Sequence, residues 1–65
     1  MDNKLFNKAV DALNEFMASQ NARLFDPPTK ELSQIDDEYV YLANNAISFG
    51  KYKIATAEFI PEGEE

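Results

Sequence analysis

Ser33-Gln34-Ile35-Asp36-Asp37-Glu38-Tyr39-Val40-Tyr41-Leu42-Ala43-Asn44-Asn45, read as SQIDDEYVYLANN, decides the fold of this chain. As a helix, it would place Ser33 at the N-cap and Asp36 at the third position, which resembles a capping box. Ile35, Tyr39, Leu42, Ala43, Ala46 and Ile47 would then form one apolar stripe, with Gly50 ending the helix. As a strand, Tyr39-Val40-Tyr41-Leu42 is a run of residues with β preference, and Asn44-Asn45 opens a turn. The segment from Lys51 to Ile60 supplies a partner, alternating at Lys51 and Lys53 against Tyr52 and Ile54 before its parity changes near Ala55–Ala57. Such a change predicts a bulge or an edge position. A hairpin satisfies the backbone groups of both segments, whereas a lone strand satisfies neither. The expectation is therefore an α+β fold with an antiparallel hairpin over about 38–43 and 50–60. The alternative is a helical hairpin, 3–22 and 34–48, plus one strand.

The helix that covers this hairpin is read over about 3–22. Leu5, Phe6, Ala9, Val10, Leu13, Phe16 and Met17 recur at steps of three and four and line one face. Asp2 or Asn3 is placed to cap its first turn. Asp26-Pro27-Pro28 is a firm break, because proline drives the residue before it out of the helical region. Leu24 or Phe25 is expected to turn back onto the core. Residues 26–34 read as a loop with one helical turn over Lys30–Ser33. Residues 1–60 make one small domain, and Pro61 and Gly63 introduce an acidic, flexible tail over 61–65.

The 65 residues contain no cysteine and no histidine, which removes disulfides, thiolate zinc sites and imidazole ligands. A chain of this size has a narrow stability margin, and self-association or a protein partner is a common supplement. The net charge of −6 lies wholly in the second half. Four acids and four bases cancel over residues 1–30, whereas eight acids face only Lys51 and Lys53 over 31–65. That field repels phosphates and anionic membranes and attracts basic protein surfaces, so the expected partner is a basic-surfaced protein rather than nucleic acid or membrane. No apolar run approaches the length of a membrane span, and the start of the chain lacks a signal-peptide or Met-Gly myristoylation pattern. A cytoplasmic protein is expected.

Asp36, Asp37 and Glu38 are the densest acidic run. Adjacent carboxylates diverge in either helix or strand, and the alternating acids of an EF-hand are absent, so no metal is expected there. No cofactor is expected either, since two glycines cannot build a phosphate-cradling loop. Without histidine or cysteine, and without a nucleophile elbow around any serine, catalysis is not expected. The aromatics are the stronger signal. Strand alternation sends Val40 and Leu42 to the helix and Tyr39 and Tyr41 to the opposite face, beside the acidic run. Asp36, Asp37, Glu38, Tyr39, Tyr41 and Tyr52 are therefore the candidate partner-binding residues, since exposed tyrosines anchor interfaces.

The function these features suggest is a small acidic, non-catalytic binding module, acting stoichiometrically as an inhibitor or regulator of a larger protein. Viruses and mobile elements direct proteins of this size and charge at host nucleic-acid enzymes or defence systems, in some cases by mimicking DNA. The alternative is a homo-oligomeric structural or assembly subunit, most simply a homodimer.

Overall fold

A computed structural model describes residues 3–63. Helix α1 runs from Asn3 to Ser19 and turns Phe6, Ala9 and Leu13 fully inward, at the spacing that the apolar periodicity dictates. Lys30 Nζ donates to Asn3 Oδ1 and ties the start of the helix to the loop after it. The proposed cap at Asp2 lies outside the described residues. The helix stops three residues short of the expected end, and the reason is local. Asn21 takes a left-handed conformation with φ 54°. The Ala22 amide donates to Met17 O at 2.9 Å and the Asn21 amide to Ala18 O at 3.1 Å. Together these bonds make a Schellman motif with asparagine where glycine is usual, and they satisfy carbonyls that the helix end leaves open.

The rest of the chain is a four-stranded antiparallel meander, β1 (Gln34–Ile35), β2 (Tyr39–Ala43), β3 (Ser48–Lys53) and β4 (Glu58–Pro61), in spatial order β1-β2-β3-β4. The strand reading of residues 39–43 is the one the protein adopts. Val40 and Leu42 are 0 % exposed beneath the helix, while Tyr41 points away from it. The two ends of β2 are turned by the same device. At the β1–β2 turn the Asp36 carboxylate accepts from the amides of Glu38 and Tyr39, both at 2.8 Å, and the Asp36 amide donates to Tyr39 O. At the β2–β3 turn Asn44 Oδ1 accepts from Ala46 and Ile47, both at 2.9 Å, and the Asn44 amide donates to Ile47 O. Each is an Asx turn, in which a short polar side chain takes the acceptor role of a backbone carbonyl.

The expected long strand over 50–60 is in fact two strands. Lys53 and Glu58 pair across a turn whose last residue, Ala57, has φ 55°. The parity change near Ala55–Ala57 marks this reversal rather than a bulge. The bulge lies earlier, between Leu42 and Ala43, where the register shifts from Leu42↔Gly50 to Ala43↔Ser48 and leaves Phe49 as the extra residue. Gln34, at the end of the expected loop over 26–34, and Ile35 after it form the short strand β1, so the hairpin gains a strand on each side. Residues Thr29–Ser33 do form one helical turn, with the Ser33 amide donating to Thr29 O at 3.0 Å. Ser33 is buried and occupies the ladder position beyond β1 with its side chain: its Oγ accepts from the Ala43 amide at 3.1 Å and donates to Ala43 O at 3.4 Å.

The helix crosses β2, β3 and β4. The core beneath it is Phe6, Ala9, Leu13, Val40, Leu42 and Tyr52, flanked by Leu24, Phe49 and Phe59 among others. Phe16 meets Phe59 with ring centroids 5.4 Å apart. Leu24 is the residue that turns back, and Phe25 remains 84 % exposed. Pro61 belongs to β4, and the Glu62 amide donates to Phe49 O at 3.1 Å, so the folded chain extends past the expected boundary at residue 60. Of the expected tail, Glu64 and Glu65 lie outside the described residues.

Candidate functional site

With one helix on a four-stranded sheet, only one face of the sheet is covered among the described residues. The register assigns the other face to Gln34 on β1, Tyr39 and Tyr41 on β2, Lys51 and Lys53 on β3, and Glu58 and Ile60 on β4. Tyr41 lies at its centre, opposite Gln34 on one side and Lys51 on the other, and is 40 % exposed. The Tyr39 and Tyr41 rings stand 6.0 Å apart, tilted by 47°. The Lys51 ammonium lies 4.7 Å from the Tyr39 ring centroid, a cation–π arrangement.

The acidic run borders this face at the β1–β2 turn, and its three members play different parts. Asp36 shapes the turn. The Glu38 and Tyr39 amides it accepts from hold its carboxyl below the usual range, with smaller help from the Tyr41 hydroxyl and the Lys51 charge. Loss of hydration pushes the Tyr41 phenol up, and the Asp36 charge adds to the shift. Asp37 and Glu38 are exposed beyond the turn. Asp36 and Glu58 thus stand on the face with Lys51 and Lys53, and the exposed Asp37 and Glu38 of the adjoining turn tip the local charge towards negative. Among the described residues, no group of three acids is placed to hold a metal ion.

Of the six candidates, the fold brings Asp36, Tyr39 and Tyr41 together, while Asp37 and Glu38 are exposed at the turn that precedes β2. Tyr52 is separated from them. It pairs with Val40 on the inner face, is 5 % exposed and belongs to the core. Lys51 and Lys53 take the neighbouring positions on the outer face. Their alternation with Tyr52 was visible in the sequence, but only the cross-strand register shows that Lys51 opposes Tyr41.

An open groove of about 430 Å³ lies at the far end of the sheet between Asp26, Pro27 and Thr29 on one side and Asn44, Asn45 and Ala46 on the other. Asn44 Nδ2 donates to Asp26 O at 2.7 Å and holds the two sides together. Its lining offers one carboxylate and one hydroxyl, and the Thr29 hydroxyl is buried.

The sheet edges are poor docking sites by comparison. The Glu62 amide points to β3, so strand alternation turns the backbone groups of Phe59 and Pro61 outward, and Pro61 has no N–H to offer. The other edge, β1, is two residues long. Short edges and edge prolines are common protections against strand addition. Among the described residues no helix is long and apolar enough to cross a membrane. No family model, curated protein or solved structure matches this chain.

Proposed function

We propose that this chain is a small, non-catalytic protein-binding module of the cytoplasm, acting stoichiometrically as an inhibitor or regulator of a larger protein with a basic surface. The observation that carries the reading is the tyrosine pair on the bare face of the sheet. Aromatic residues held rigidly on strands give large contact area at small entropic cost. The acidic turn beside them adds attraction and orientation for a cationic partner. The short, proline-bearing edges favour contact through the face over strand addition. In this reading the protein belongs with the small acidic proteins that viruses and mobile elements direct at host nucleic-acid enzymes or defence systems.

The test is affinity capture from cells of the native host with the wild-type chain and Tyr41→Ala side by side. A partner recovered by the first and lost by the second supports the proposal. Recovery that does not differ between them, or none above background, overturns it.

The bare face also favours a second reading, in which another copy of the chain covers it in a symmetric dimer. Sedimentation at micromolar concentration separates the two, because a concentration-independent monomer removes the dimer and leaves the binding module.

A further inference from the structure

The outer face already binds one cation, and that cation is its own. Lys51 reaches across from β3 to place its ammonium over Tyr39, next to the carboxylate run of the β1–β2 turn. The surroundings have the composition of a cation site: two tilted aromatic rings, with the Asp36 carboxylate at one end and Asp37 and Glu38 exposed on the turn beyond it.

We infer that Lys51 is an internal stand-in for a partner's arginine, which displaces it from Tyr39 and packs across the Tyr39–Tyr41 pair. The inference rests on reading this face as a protein-binding surface and names the group that the surface recognises. A guanidinium is planar and more weakly hydrated than an ammonium, so it stacks on a ring more readily and bonds carboxylates with two parallel donors. Lysine is a replaceable occupant, because its long stem can swing the ammonium into water without disturbing the strand. The excess of carboxylates around the face favours an added cation and disfavours a phosphate. Lys51 thus covers the Tyr39 ring when the chain is alone and competes with the incoming group when it is not.

This competition gives a test with an uncommon sign. Isotope-labelled protein is titrated with a short capped arginine–glycine peptide, and separately with the same peptide carrying neutral citrulline for arginine. The arginine peptide should shift the Tyr39 and Tyr41 ring resonances saturably, and the citrulline peptide should leave them in place. Lys51→Met removes the competitor while keeping an apolar stem, and should tighten arginine binding about threefold, the size of one exposed cation–π contact. Tyr39→Leu, with its fold checked by amide dispersion, should abolish the response. Equal shifts with both peptides, or unchanged or weaker binding by Lys51→Met, overturn the inference. So does a single-stranded oligonucleotide that shifts the same rings and needs Lys51 to do so, which would make the face a base-stacking platform. If Tyr41→Ala loses a captured partner while arginine peptides leave the rings unmoved, the binding-module reading stands and this inference falls.

Discussion

Replacing Gly50 by alanine tests how β4 is attached to the sheet. Gly50 has φ +133°, a conformation that side chains rarely adopt, and an added Cβ would lie 2.3 Å from Ile60 O, 2.9 Å from Glu62 N and 2.9 Å from Pro61 Cα. An ordinary carbon–oxygen approach is about 3.3 Å, so the overlap with Ile60 O is roughly 1 Å. All three atoms are backbone, and no rotamer change relieves the contact. Either Gly50 abandons its conformation or β4 moves away and loses the bonds around Ile60 and Glu62. Backbone strain of this kind costs about 1–3 kcal/mol. Each ladder bond lost costs about 1 kcal/mol more. The total of roughly 3–5 kcal/mol is comparable to the whole net stability of a single core of this size. Gly50→Ala should therefore be largely unfolded at 25 °C by far-ultraviolet circular dichroism and urea titration, or should retain the helix with β4 released from hydrogen-exchange protection. Gly63→Ala is the control. Gly63 also has a positive φ, +89°, but nothing lies within 4 Å of its added Cβ. Its substitution should cost about 1 kcal/mol or less. A Gly50→Ala protein that melts within about 5 °C of wild type, or a Gly63→Ala protein equally damaged, would refute the close-approach argument.

Ser33→Ala strands the part-buried amide of Ala43 and should cost about 1 kcal/mol, read as a fall of roughly 4–8 °C in melting temperature. Ala57→Gly relieves a left-handed alanine, and after the added chain entropy of glycine should stabilise by roughly 0.5–1 kcal/mol in urea titration. Asp36→Asn should keep the β1–β2 turn, as Asn44 does in the next one, while Asp36→Ala should lower the melting temperature. The folded Asp36 carboxyl lies below its ordinary value of 3.8, so its contribution is present above that pH and lost as pH falls through the folded value. Asp36→Asn should accordingly flatten the acid limb of stability against pH. The Tyr41 phenol is raised above 10.0, so its contribution is present below that pH and lost as pH rises through the folded value. Tyr41→Phe should flatten that alkaline limb.

The helix was legible because seven apolar residues mark one face, and β2 because its inward and outward residues alternate without interruption. The helix end was misplaced because the Asp-Pro-Pro break is loud, while Asn21 ends the helix through a backbone conformation that asparagine only mildly favours. The β3–β4 turn was missed for a similar reason: Ile54-Ala55-Thr56-Ala57 contains no glycine, proline or asparagine to announce it. β1 was hidden because two residues carry no periodicity, and what anchors it is the serine side chain beside it. The outer-face tyrosines followed from strand parity alone. Placing Tyr52 with them did not, because that assignment depends on the register between β2 and β3, which the Phe49 bulge helps to set.

The paired Asx turns have a consequence for how this chain can change over time. A strand that slipped by one residue would exchange its two faces, drawing Tyr39 and Tyr41 inward and pushing Val40 and Leu42 into water. Asp36 and Asn44, eight residues apart, clamp β2 from both ends, so a slip would break both turns at once. Both clamps hold backbone amides, and only Tyr41 and Lys51 among residues 34, 39, 41, 51, 53 and 60 lend the Asp36 carboxylate minor support. Those positions can vary without moving the frame that holds them, and one 65-residue scaffold can be retargeted by changing its face while its turns stay constant.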